Sequence, residues 1–289
     1  MTNSLGYTNN LFILPFDHRA SFAKMFGFTN ITSEEKNYII SAKKLIYEAF
    51  KDAISRDIPK DQSAILVDEE YGDEILKDAK TQNIATILTT EKSGLASLKL
   101  GRSGQEGFSF EYGEKFAEHI EKYKPTFAKA LIRYKPNIDW TNLKALSDYC
   151  HTHSYKLLLE MIMGLDTVNA QNFLPAINEL RKKGVEPDVW KLEGMESKND
   201  YEAVAAKVQE GGRKNVGIVI LGRGESKEKV EHWIKEGRDV KGIIGFAVGR
   251  TMFSQPLIDF KNSKIDREEL IEKISNSFQH LYKLFVNRN

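Results

Sequence analysis

The run Pro187-Asp188-Val189-Trp190-Lys191-Leu192-Glu193-Gly194 sets a lysine and a glutamate two residues apart inside an apolar, β-prone stretch. Successive side chains of a strand point to opposite faces, so Lys191 and Glu193 share one. Burying an ammonium is unfavourable unless it is paired or used, and a poorly solvated lysine loses proton affinity and becomes a better nucleophile. A Schiff-base lysine requires that state. A structural ion pair at a strand end would fit the same local pattern, so the surrounding residues decide between the two.

Those residues are charged as well, and they recur at the ends of apolar runs. Asp17-His18-Arg19, Asp68-Glu69-Glu70 and Glu91-Lys92 each follow one; Lys129 and Arg133 share a parity within another, and Glu160 lies in a fifth. Charges of both signs gather in an interior only as a mutually neutralising cluster, an arrangement typical of catalytic sites. Two further runs end in Leu221-Gly222-Arg223-Gly224 and Ala247-Val248-Gly249-Arg250. Glycine lets backbone N–H groups approach an anion, a helix amino terminus adds favourable potential, and Arg250, supported by Arg223, supplies charge-assisted hydrogen bonds to phosphate oxygens.

The elements that must position these groups alternate. Strands are expected at Leu11–Phe16, Ser63–Val67, Ile84–Thr89, Ala128–Arg133, Lys156–Met161, Val189–Glu193, Val216–Leu221 and Gly242–Ala247. Helical periodicity fills the intervals at Ser33–Ser55, with Ser33 as its cap, and at Asp73–Lys80, Gly113–Tyr123, Thr141–His151, Asn169–Lys183, Tyr201–Glu210, Lys227–Glu236 and Asp266–Val286. Strict alternation with no leftover strand predicts an α/β fold, a single (β/α)8 TIM barrel over residues 1–289, with the site at the carboxyl ends of the strands. Loops after the seventh and eighth strands are the usual phosphate site of such barrels. The glycine-rich Gly101–Gly107 segment lacks the Gly-Lys-Ser/Thr ending of a P-loop and reads as a barrel loop.

Composition narrows the partners. A formal net charge of +1 on 289 residues gives no basis for nucleic-acid or membrane binding. The single Cys150 excludes an intramolecular disulfide. Without a signal-peptide pattern or an apolar run of spanning length, a soluble cytoplasmic protein is expected. Cys150 precedes His151 and His153, but a metal site there needs a further ligand, and the group reads as a helix end. No metal or other cofactor is expected; the expected partner is a small phosphorylated sugar, with a homo-oligomer left open.

Phe16-Asp17-His18-Arg19, the Asp-Glu-Glu-Tyr-Gly run from Asp68, Glu91-Lys92-Ser93-Gly94, Lys129, Glu160 and Trp190-Lys191-Leu192-Glu193 together resemble class I aldolases of the tagatose-1,6-bisphosphate aldolase type. The nearer likeness is to the aldolase-like domain fused to 5-dehydro-2-deoxygluconokinase in bacterial inositol catabolism, and it covers nearly the whole chain. Only ten residues precede the first strand, so the kinase half is expected to be absent. The resemblance implies Lys191 as the Schiff-base lysine, Glu160 as the proton-transfer carboxylate, and Lys129 and Asp17 as its polar neighbours. Gly222-Arg223-Gly224 departs from the small-residue phosphate turn of the tagatose enzymes.

On this reading Lys191, kept partly neutral by Lys129 and by burial, attacks the ketone of a phosphorylated ketose, and the iminium becomes the electron sink for carbon–carbon cleavage. Glu160 shuttles protons during dehydration and at the substrate hydroxyl or the enamine carbon. Glu193, Gly222 and Gly249 join Arg223 and Arg250 as substrate-binding residues, and Arg133 takes a second anion. A 2-deoxy-5-keto-gluconate 6-phosphate has that charge pattern; its products would be dihydroxyacetone phosphate and malonate semialdehyde. The alternatives are a tagatose-1,6-bisphosphate or related ketose-phosphate aldolase, a metal-dependent aldolase, for which only His18 among the histidines lies at a strand end, and a non-catalytic barrel that binds a sugar phosphate.

Overall fold

A computed structural model describes residues 4–92 and 107–287. Parallel strands β1 (Leu11–Pro15), β2 (Ser63–Val67), β3 (Ala85–Thr89), β4 (Phe127–Arg133), β5 (Lys156–Ile162), β6 (Val189–Glu193), β7 (Gly217–Leu221) and β8 (Ile243–Ala247) close into a barrel in sequence order. β1 pairs with β2 on one side and β8 on the other, so the sheet has no free edge. The surrounding helices are α1 (Ala20–Met25), α2 (Ser33–Arg56), α3 (Glu69–Thr81), α4 (Phe116–Tyr123), α5 (Thr141–Thr152), α6 (Ala170–Lys182), α7 (Lys198–Gln209), α8 (Lys227–Gly237), α9 (Arg250–Lys261) and α10 (Arg267–Val286). This is the (β/α)8 barrel that the alternation predicts. None of the described helices is long and apolar enough to cross a membrane.

One strand parity faces the lumen, and its chemistry changes with height. Leu11, Ile13, Ala64, Leu66, Ile87, Phe127, Leu158, Val189 and Val219 form a buried apolar floor. Burying each Leu or Ile there is worth about 1.5–3 kcal/mol over exposure. Two residues further along the same parity, Lys129, Glu160 and Lys191 replace the hydrocarbon. The other parity packs outward under the helices: Phe12 meets Tyr282 and Phe285 of α10 edge-on, at centroid distances of 5.0 and 5.4 Å.

Several boundaries differ from the periodicity. Thr32, not Ser33, caps α2: its hydroxyl accepts from the Glu35 N–H while the Glu35 carboxylate accepts from the Thr32 N–H. α3 starts at Glu69 rather than Asp73 because Asp68 caps it, accepting from Tyr71 N at 2.9 Å. α1 and α9 were not expected; α1 has only 6 residues, and α9 carries Pro256 inside it. Gly113–Lys115 is a 3₁₀ turn ahead of α4. Of the Gly101–Gly107 loop, all but Gly107 lies outside the described residues.

Asp188 anchors the amino-terminal segment to the floor of the barrel. Its carboxylate accepts from Gly6 N and Leu157 N, both at 2.8 Å, and lies 3.3 Å from the Lys156 ammonium and from His151 Nε2. Gly6 is required at this contact: its φ is +103°, and a Cβ would stand 2.3 Å from the Asn215 carbonyl. Burial pushes the Asp188 pKa up, but the His151 contact, the backbone N–H groups and Lys156 win and hold it below the ordinary value. A carboxyl depressed by folding stabilises above its unfolded pKa of about 3.9 and loses that contribution as pH falls through the folded value. Asp188→Ala is therefore expected to cost about 3 kcal/mol at pH 7, with the difference from wild type narrowing below about pH 4. Urea denaturation at both pH values checks this; a constant difference would assign the loss to packing alone.

Candidate active site

The charged layer lies at the carboxyl mouth because five strands carry the same parity to Asp17 (β1), Glu91 (β3), Lys129 (β4), Glu160 (β5) and Lys191 (β6), in the strand or just past its end. β6 carries Lys191 directly opposite Glu160 of β5 in the ladder, and Lys191 Nζ donates to Glu160 Oε2 at 2.9 Å. The same oxygen lies 3.1 Å from Lys129 Nζ of β4. Lys129 also donates to Asp17 Oδ2 at 2.9 Å and to Glu91 Oε1. One carboxylate thus stands between two ammonium groups, and one ammonium stands among three carboxyls. Lys129 and Lys191 are 1% and 2% exposed, and Glu160 and Glu91 are each 6% exposed. Unpaired, any of these charges would be strongly unfavourable at such depth.

The environments drive the carboxyls apart. Burial pushes Asp17 up, but Lys129, with His18 and Lys191 behind it, holds it far below the usual carboxylate range. Glu160 follows the same logic: burial raises it, the two ammonium groups lower it further, and the net direction is down. For Glu91 burial prevails over Lys129, with Asp17 and Glu160 adding repulsion, and its pKa is raised. Burial also acts to lower Lys129, but Asp17, Glu160 and Glu91 overcome it and hold the ammonium well above its ordinary value. Burial pushes His18 down to about 4, so its imidazole adds no charge at neutral pH.

Above this layer opens a cavity of about 510 Å³, lined among others by Asp17, His18, Glu91, Lys129, Arg133, Glu160, Lys191, Arg223, Gly249 and Arg250. The arginines differ. Arg133, at the end of β4, is exposed and has no ion pair among the described residues. Arg250 opens α9 and donates to the Arg223 carbonyl at 2.8 Å. Arg223 is committed elsewhere: its guanidinium donates to Leu165 O at 2.6 Å and lies 2.8 Å from Glu193 Oε1, although that contact lacks hydrogen-bond geometry. Its φ of 55° is unusual for a side-chain-bearing residue and aims this tether across the turn. Gly249 lets the β8–α9 turn press on β1, where a Cβ would approach Pro15 O to 2.1 Å.

Two expected site residues fall outside the cavity. Glu193 leaves its strand's end sideways and accepts from Met163 N at 2.7 Å; burial raises its pKa against that N–H and Arg223. Gly222 packs beneath Val248, 3.0 Å from where its Cβ would be. Asp68, at the end of β2, turns outward into a buried ion pair with Lys43 of α2. Nor does Lys129 stand alone beside Lys191 as a repelling charge, since Glu160 bonds to both. Conversely, Glu91 joins the layer; its charge at a strand end was visible, but its pairing across to β4 was not.

The whole chain, residues 1–289, matches the family described as "Uncharacterized protein conserved in bacteria (DUF2090)". The chain belongs to this family. No curated protein matches it. Among solved structures it is similar to a Plasmodium falciparum fructose-bisphosphate aldolase crystallised with TRAP and an inhibitor, at 14% identity and a TM-score of 0.64, over 96% of this chain and 91% of that one. A Schiff-base-forming fructose-1,6-bisphosphate aldolase aligns at 13% identity and TM-score 0.60, over 96% and 94% of the two chains. A fructose-bisphosphate aldolase from Slackia heliotrinireducens aligns at 12% and 0.57, over 93% and 86%. At such identities the likeness is one of fold.

Proposed function

We propose that this protein is a class I aldolase that cleaves a phosphorylated keto sugar or keto sugar acid through a Schiff base on Lys191. The observation that carries the reading is the buried Lys129–Glu160–Lys191 bridge at the floor of an open, cation-rimmed cavity. Glu160 is within 2.9 Å of Lys191 Nζ and can take the ammonium proton as the amine attacks the ketone, then return it to the departing carbinolamine hydroxyl. Lys129, fixed as a cation, stabilises negative charge that develops beside it. Asp17 holds Lys129 in place and accepts a further hydrogen bond from Thr89 at 3.2 Å.

The rim fits a substrate with two anionic ends. Arg250 and the Gly249 turn sit at β8 and Arg133 at β4, half the ring apart in an eight-strand barrel. A phosphate at the first and a carboxylate or second phosphate at the other describes 2-deoxy-5-keto-gluconate 6-phosphate as well as a ketose bisphosphate; Arg133 is the group that meets the second anion. Arg133→Leu is expected to lower kcat/KM for such a substrate by about 2–3 kcal/mol, and for a singly phosphorylated analogue much less. Equal losses on both would make Arg133 structural. The reading as a whole is tested by adding borohydride with dihydroxyacetone phosphate and mapping the adduct by peptide mass. A stable adduct on Lys191 is expected. Turnover without any adduct would sink the Schiff-base route, and an inert site that only binds sugar phosphate would point to a non-catalytic barrel.

A further inference from the structure

Glu91 is the one carboxyl of the buried layer to which the mechanism above gives no task. Its main chain is clamped: Arg19 Nη2 donates to Glu91 O at 2.7 Å, Glu91 bridges antiparallel to Phe110, and Glu111 N donates to Thr90 O at 3.0 Å. Its Oε1 accepts from Lys129, whereas its Oε2 is buried with no hydrogen-bond partner among the described residues. A buried carboxyl oxygen with no partner is rare in a native structure and calls for a ligand. Glu91 lines the cavity from the end of β3. A ketose phosphate held by its phosphate at β8 and by its ketone at Lys191 on β6 must carry its remaining carbons toward β4 and β3.

We propose that Glu91 takes the proton of the hydroxyl on the carbon that becomes the aldehyde, leaving Glu160 to serve the carbinolamine and enamine at Lys191. The inference rests on the aldolase reading above. In the cleavage step the O–H proton passes to Glu91 Oε2 and the O–H electrons form the aldehyde C=O. The carbon–carbon pair moves into the enamine, and the iminium nitrogen becomes neutral. Condensation runs the same transfers backward. Among the described residues, the charged and titratable groups around Glu91 are Asp17 and Arg19 from the β1 side, Arg19 being paired with Glu111, Lys129 from β4 and Glu160 from β5. Together they leave Glu91 with the highest proton affinity of the three carboxyls, as suits a base, while Asp17 and Glu160 are held as anions.

Glu91→Gln keeps the shape and an oxygen for Lys129 but cannot accept the proton. Dihydroxyacetone phosphate in D2O separates the two tasks, because trapping by borohydride and exchange of its α-hydrogen need no aldehyde-side base. The variant is expected to keep both within about threefold of wild type while kcat for cleaving the wild type's best ketose phosphate falls about 100- to 10,000-fold. The acidic limb of kcat/KM against pH should vanish in Glu91→Gln and persist in Glu91→Asp. Retained exchange in the same preparation also shows that the site is folded. Loss of exchange together with cleavage would overturn the inference, since Glu91 would then act only by holding Lys129; wild-type cleavage rates would overturn it too. A wild-type protein that is neither trapped nor exchanges α-hydrogen is a separate result, which removes the aldolase reading and this inference with it.

Discussion

Lys191→Ala is expected to take up no covalent mass from dihydroxyacetone phosphate and borohydride, and to lose at least about 10,000-fold in cleavage kcat. The size follows from the loss of the covalent electron sink; charge stabilisation by Lys129 would remain, but there would be no iminium to receive the electron pair. Lys129→Ala should still form some adduct, because Lys191 and Glu160 keep their 2.9 Å contact. The measurement is whole-protein mass before and after reduction, with kcat from aldehyde release. If Lys129 carried the label and Lys191→Ala still reacted, the roles of the two lysines would be exchanged.

Lys129→Met should be the most destabilising single change in the mouth, because it leaves Asp17, Glu91 and Glu160 facing one another with only Lys191 to compensate. Removing one partner from a buried ionic group costs about 3–5 kcal/mol. The pH dependence gives the cause. In the wild type Asp17 and Glu160 titrate lower folded than unfolded, so their contribution is present above about pH 4 and is lost as pH falls. Lys129 titrates higher folded than unfolded, so its contribution is complete below about pH 10 and disappears only above that. Without the ammonium the carboxyls are raised instead, and the variant should gain stability as pH falls from 7 to 4. Urea denaturation across that range should show the variant gaining stability more steeply than the wild type, in which only Glu91 of the three carboxyls titrates higher folded than unfolded; parallel slopes would mean the layer is not held by charge.

Parity made most of this architecture legible. Each strand appears within a residue or two of its expected limits, and Lys129, Arg133, Glu160 and Lys191 share a mouth because a period of two sends them there. Parity did not reveal that the Glu193 carboxylate is taken up by Met163 N, outside the cavity lining. Contacts remote in sequence left no local trace. Lys43 meets Asp68 from another helix, and Asp188 binds Gly6 from 182 residues away. α1, with 6 residues, was too short for a periodic signal. Glu91 showed a charge without a role, since only the β3–β4 pairing brings its carboxylate against Lys129.

Closure of the ring bears on how the chain is made. β1 completes its ladder only by pairing with β8, and Phe12 on β1 is covered by Tyr282 and Phe285 of α10, while Phe50 of α2 packs on Phe278. A nascent chain emerging amino end first therefore exposes an open strand edge and uncovered aromatic rings until β8 and α10 have left the ribosome. Contacts this remote in sequence form slowly, and exposed edges and apolar surface attract other chains in the meantime. The half-built barrel thus carries its open β1 edge until β8 pairs with it, and its bare Phe12 ring until α10 docks over it.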